Sequence, residues 1–165
     1  MPIIIGIDPG LINCAWGIIK TENDNLQYIA SDTIVTSSAA PMVDRLGKIY
    51  NALHKAIKAY SPIECAIEET FVNKNPMSSL KLGQARGVAI LAANQLGIKV
   101  FEYSPRLIKK SLVGSGRADK HQVESMVKFL LPKADVKSNH ESDALAVSIC
   151  HANITATQNR INLSL

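Results

Sequence analysis

The chain opens on a short apolar run, IIIGID (3–8), closed by Pro9-Gly10; β-branched residues bounded by a turn signal read as a buried strand. NCAWGIIK (13–20) reads as a second strand, and the short link PGLI predicts an antiparallel hairpin between the two. LQYIASDTIVT (26–36) alternates and predicts a third strand. From Met42 to Tyr60 apolar residues recur at 43, 46, 49, 50, 53, 57 and 60, which is helical spacing. Pro62 breaks the chain, and IECAIEE (63–69) predicts a fourth strand that ends in carboxylates. Residues 71–79 read as a polar loop, 80–96 as an Ala- and Leu-rich helix, and 98–103 as a fifth strand. Pro105 starts a short helix to about Val113, and GSGR (114–117) is a break. Asp119 caps a helix that Pro132 ends, and a last helix runs from about Asn139 to Thr157. This order predicts an α/β fold with a mixed five-stranded sheet and helices on both faces. Residues 1–157 are expected to form one domain, with 158–165 as a flexible tail.

Composition adds limits. The chain has 165 residues, 47% apolar and 19% charged, which is globular and not disordered. No apolar run approaches the ~18 residues needed to span a bilayer, and the opening decapeptide lacks the basic start of a signal peptide. Cys14, Cys65 and Cys150 are scattered and odd in number, so neither a disulfide framework nor a zinc site is expected, and a cytoplasmic location fits. Net charge is +4, unevenly spread: residues 1–70 carry five basic and eight acidic side chains, residues 71–165 thirteen and six. An acidic half joined to a basic half points to carboxylates that hold metal beside a surface that attracts phosphate; the plain alternative is a solvated basic surface.

The candidate chemistry lies at strand ends. Asp8 ends the first strand, and Glu68 and Glu69 end the fourth. If these strands are parallel neighbours, the acids converge at one sheet edge, where ligands of open α/β sheets bind. In SNHESDALA (138–146), His140 and Asp143 stand at i and i+3 in the first helical turn, with Cβ atoms roughly 5–6 Å apart. Glu141 points to the other side and is a poor co-ligand. Each acid also has an ordinary reading: Asp8 as a turn residue, Asp143 as a helix-dipole partner. Together, Asp8, Glu68, His140 and Asp143 offer three hard oxygens and one imidazole, a set suited to Mg²⁺ or Mn²⁺. Two such ions ~3.5–4 Å apart clamp the attacking and leaving oxygens of a phosphodiester.

The segments GIDPG, AIEETF, LKLGQARGVAI, FEYSPR, the glycine-flanked DKHQV stretch and ESDALAVSICH, in this order, resemble the RuvC family of bacterial Holliday junction resolvases. The resemblance covers residues 1 to about 153. It implies a ribonuclease H-like fold, a homodimer, and Mg²⁺- or Mn²⁺-dependent paired cutting of a four-way junction. It also implies RuvA and RuvB as partners. The family's first Asp falls on Asp8 and its Glu on Glu68, leaving Glu69 as a neighbour. The family's closing D-x-x-D, with H-x-x-D as a variant, falls on His140 and Asp143. The imidazole makes the site less negative and favours Mn²⁺ relative to Mg²⁺; His140 is alternatively a proton carrier.

The resemblance assigns DNA contacts as well. Phe71 stacks on an unpaired base where the junction opens; read alone, it packs under its loop. Lys74 and Asn75 share that loop. Family lysines fall on Lys109 and Lys120, near Arg117, with Lys81 and Arg86 as secondary candidates. Gly83 and Gly87 would cost a helix about 1 kcal/mol each; they pack either on the chain's own sheet or, as the resemblance implies, at a dimer interface. Three other functions compete. An actin-like or sugar-kinase ATPase needs a second phosphate loop and a second domain. A non-catalytic nucleic-acid module on the same fold has no use for four ligand positions. A ribonuclease H has different acid spacing and no role for the Phe71 loop.

Overall fold

The computed structural model describes residues 2–22, 25–70 and 75–163. Five strands, β1 (Ile3–Asp8), β2 (Asn13–Glu22), β3 (Asn25–Val35), β4 (Glu64–Glu68) and β5 (Lys99–Tyr103), form one sheet in the order β3-β2-β1-β4-β5. The first three are antiparallel neighbours, whereas β4 runs parallel to both β1 and β5. The mixed sheet expected from the element order is therefore present, and Ile7 pairs with Ile67, so Asp8 and Glu68 follow at the same level.

Side-chain parity decides what each strand presents to each face. Ile5 and Ile7 of β1 and Cys65 and Ile67 of β4 belong to one buried cluster, packed against α1 (Met42–Tyr60) and α2 (Pro76–Asn94). Ile4 and Ala66 belong to a second cluster, shared with α3 (Pro105–Val113), α4 (Lys120–Leu130) and α5 (Asn139–Leu163). Helices thus cover both faces, and the even-numbered residues Asp8 and Glu68 share the face of α5. Among the described residues, no helix is long and apolar enough to cross a membrane.

Gly6 and Gly17 are cross-strand partners beneath α5. A Cβ at Gly6 would collide with the Ala144 carbonyl oxygen and stand 2.8 Å from the Ser148 nitrogen, and one at Gly17 would stand 2.7 Å from Leu145 Cδ2. The helix therefore rests directly on the sheet backbone, lower than any side chain would allow.

Two boundaries differ from the sequence reading. Residues 76–79 are the first turn of α2, not loop, because the Asn75 side chain accepts from the Met77 and Ser78 amides and Pro76 occupies the first helical position. The last helix continues past Thr157 to Leu163: the segment from 152 onward is polar but holds no Gly or Pro to stop it. The Asp119 cap forms as expected, as a capping box with Gln122.

Candidate active site

Asp8 is the last residue of β1, and the helix that covers its face starts at Asn139. The close seat of α5 on Gly6 brings its first turn to the strand end. His140 Nδ1 lies 3.0 Å from Asp8 Oδ2, where the imidazole N–H donates to the carboxylate. One ligand atom each from Asp8, His140 and Asp143 lies within 4.8 Å of the others. Lys120, at the start of α4, donates to Asp143 Oδ2 at 3.2 Å. Glu68 stands on the adjacent strand end but outside the 4.8 Å group.

The electrostatics are those of crowded, half-buried acids. Burial raises the pKa of Asp8; the His140 hydrogen bond offsets part of that, and the charge of Asp143 adds to it. Glu68 is pushed up to about 7, by burial first and then by the negative charges of Asp8 and Asp143, while Lys109 and Lys120 draw it down. Burial likewise raises Asp143, against the opposing pull of Lys120. Three carboxyls that resist ionisation together, beside an imidazole, form a donor set whose repulsion a divalent cation relieves. The residues present therefore fit Mg²⁺ or Mn²⁺.

Of the expected DNA contacts, Lys109 and Lys120 are close enough for their charges to act on Glu68, and Arg117 is exposed on the turn before α4. Phe71 and Lys74 lie outside the described residues. Asn75, Lys81 and Arg86 divide: Asn75 caps α2, Lys81 is exposed on α2, and Arg86 pairs with Glu102 and donates from Nε to the Glu68 carbonyl at 3.3 Å. Arg86 thus ties α2 to the end of β4.

Two polar groups, Arg45 and His151, went unread in the sequence, and a third, Glu141, was read only as a poor co-ligand. Arg45 is buried on α1, donating to Thr36 Oγ1 at 2.9 Å and to the Leu11 carbonyl at 3.4 Å, and so anchors the turn that follows Asp8. His151, 1% exposed, bridges Glu64 (Nε2 to Oε2, 3.0 Å) and the Tyr103 hydroxyl (2.6 Å to Nδ1), which pins α5 to β4 and β5. Glu141, 2% exposed, lies within the helix turn that carries His140 and Asp143. Its structural role is signalled in the sequence by the S-x-x-E spacing from Ser138, a helix-start pattern.

A mixed sheet in this order, with acids at the ends of the adjacent parallel strands and on the helix across them, defines a nuclease of ribonuclease H-like architecture. Residues 4–151 match the family "Crossover junction endodeoxyribonuclease RuvC". Crossover junction endodeoxyribonucleases RuvC of Azorhizobium caulinodans and Xanthobacter autotrophicus are 49% and 50% identical over 149 residues, 90% of this chain and 88% of each relative. The structure of Thermus thermophilus RuvC in complex with a Holliday junction substrate superposes with a TM-score of 0.90 at 28% identity, covering 96% of this chain and 97% of that one. The chain belongs to the RuvC family of crossover junction endodeoxyribonucleases, the resolvases of Holliday junctions.

Proposed function

We propose that Asp8, Glu68, His140 and Asp143 form the hydrolytic centre of this resolvase, which cuts two strands of a four-way DNA junction by symmetric phosphodiester hydrolysis. The observation that carries this reading is the meeting of Asp8, His140 and Asp143 ligand atoms within 4.8 Å at the end of β1. Mg²⁺, with Mn²⁺ as substitute, is the expected cofactor, two ions per site. Bound there, the metal supplies Lewis-acid polarisation of the phosphodiester and an acidified water.

The chain's own residues do the rest. Asp8, Asp143 and Glu68 hold the charge that keeps the cation, and His140 completes the set with nitrogen. Lys120, seated against Asp143, would be available to hold a phosphate oxygen of the bound strand with its ammonium. Lys109, on α3, and Arg117, before α4, extend that cationic surface toward the flanking backbone. Phe71 and Lys74 belong to the same reading, Phe71 as a base-stacking residue. In the reaction a water oxygen bonds to phosphorus and loses a proton, while the bond to the 3′ oxygen breaks and that oxygen takes a proton to leave as a hydroxyl.

Two symmetric cuts call for two sites about a two-fold axis, hence a homodimer. Leu80, Gly83, Gly87 and Leu91 fall on one stripe of α2; both leucines are exposed, and among the described residues a Cβ on either glycine would meet nothing within 4 Å. Packing on the chain's own sheet does not account for these glycines, so the stripe supports α2 as the contact with a second copy. RuvA and RuvB are the further partners, and three free, buried cysteines accord with a cytoplasmic setting.

Cleavage of a four-way junction, a linear duplex and an RNA–DNA hybrid, with Mg²⁺, Mn²⁺ or chelator, tests the reading. Paired cuts in the junction alone, abolished by chelator, are expected. Asp8→Asn and Asp143→Asn should cut nothing yet bind the junction. Full cleavage by either variant at saturating DNA would overturn the assignment.

A further inference from the structure

We propose that Glu141 is a positioning residue that sets the rotation of α5, and so the approach of His140 and Asp143 to Asp8. This rests on the hydrolytic centre proposed above. The Glu141 carboxylate accepts from Ser31 Oγ at 2.6 Å and from the Lys137 amide at 3.4 Å, and its other oxygen faces Thr33 Oγ1 at 3.3 Å and Ser138 Oγ at 3.5 Å, one of which donates to it. Ser31 and Thr33 belong to β3, the outer strand on the β2 side of the sheet. Between the Thr33 and Ser138 hydroxyls, 2.7 Å apart, one donates to the other and the second donates to the carboxylate, and Ser138 Oγ also accepts from the Glu141 amide at 3.1 Å. The helix start is thereby bolted to the same sheet that carries Asp8.

The geometry gives this bolt its purpose. At about 100° per residue, His140 and Asp143 lie about 60° apart around the helix, and Glu141 lies about 100° from His140 on the far side from Asp143. A glycine floor under Ala144 and Leu145 sets the height of α5 but offers no side chain that resists rotation. Glu141 supplies that resistance at the turn where it matters. Ligand atoms sit roughly 6 Å from the helix axis, so a rotation of about 10° displaces them by about 1 Å. A displacement of that size costs on the order of 100-fold in a positioned reaction.

A carboxylate suits the place because its oxygens only accept, and every partner named above is able to donate. An amide keeps a single acceptor oxygen: facing Ser31 and the Lys137 N–H, it leaves its NH2 toward Thr33 and Ser138, whose hydroxyls must then turn from donating to accepting.

Glu141→Gln keeps the shape, removes the charge and exchanges one of the two acceptor oxygens for a donor. Three readouts apply: Mn²⁺ affinity of the DNA-free protein by electron paramagnetic resonance, single-turnover cleavage at saturating junction and metal, and junction affinity in Ca²⁺. The first two should fall by about 10- to 100-fold, as for other groups that orient metal ligands, while junction affinity stays within twofold. Thr33→Val should weaken Mn²⁺ binding in the same sense, and Thr33→Ser should restore it; this pair decides the matter if Glu141→Gln does not fold. Mn²⁺ affinity and rate within twofold of wild type for Glu141→Gln, or equal Mn²⁺ affinities for the two Thr33 variants, would overturn the proposal. Asp8→Asn separates the two levels. If it loses Mn²⁺ binding and cleavage while Glu141→Gln loses neither, positioning fails alone; if Asp8→Asn keeps both, the hydrolytic centre fails first.

Discussion

Gly6 of β1 lies directly beneath Ala144 of α5, with no room between them for a Cβ. Asp8 is two residues along the same face of the strand, and Asp143 is the residue before Ala144. The seat of the helix and the assembly of the site are therefore a single feature of the packing.

Gly6→Ala should consequently harm both stability and activity. The added methyl forces α5 off the sheet, an overpacking cost of about 1–3 kcal/mol, and carries His140 and Asp143 away from Asp8. Thermal melting should show a lower Tm, and single-turnover cleavage of the protein that remains folded should fall at least tenfold. A variant with wild-type rate would mean that the helix tolerates a higher seat without moving its ligands.

Glu68 makes the metal-free protein sensitive to pH. Its carboxyl is raised from about 4.5 to about 7, so the folded state holds a proton in this window that the unfolded chain has released. The associated stability is present below pH ~4.5 and lost as pH rises through ~7, an upper bound of about 3 kcal/mol. In chelator, Glu68→Gln should therefore melt higher than wild type at pH 8, with little difference at pH 4.5. Mn²⁺ should raise the Tm of the wild type at pH 8 more than that of the variant. An equal offset at both pH values in chelator would show that Glu68 carries no such strain.

Lys109→Ala combined with Lys120→Ala should weaken junction binding and flatten its dependence on salt. Every phosphate left without its lysine takes about 0.9 off the slope of log K against log salt. Binding measured between 50 and 200 mM salt should thus give a double variant shallower by about 1.8 if both lysines touch phosphate. An unchanged slope would make them ordinary surface lysines.

His140→Asp should retain cleavage and shift preference from Mn²⁺ toward Mg²⁺, because an oxygen ligand replaces a nitrogen one. The ratio of rates in the two metals, at saturating metal and DNA, is the measurement. An unaltered ratio with unaltered rates would place His140 outside the ligand set.

Much of this was legible along the chain. Short apolar segments bounded by turns outlined the strands, with alternation in β3, Asp119 announced α4, and the acids at the ends of IIIGID and AIEETF stood out because charge rarely closes a buried strand unpaired. Such signals arise from neighbours a few residues apart, so a linear reading recovers them. The loop reading of 76–79 failed on a local signal too, the Asn75-Pro76 helix start, and the end of α5 failed because polar residues lower helix propensity without forbidding it.

Tertiary packing settled the rest. His140 meets Asp8 across 132 residues of sequence, Glu141 reaches Ser31 across 110, and His151 reaches Glu64 across 87. Whether Asp8 and Glu68 stand side by side depends on β4 inserting next to β1, and the partners of Glu141 depend on β3 being the outer strand on that side. The order of residues along the chain was enough to say which of them carry charge, which segments become strands and helices, and which strands end in acids. It was not enough for the strand order, the height of α5 above Gly6 and Gly17, or the rotation that turns His140 inward. Those quantities minimise the free energy of the whole buried interface at once, and no window of neighbouring residues contains them.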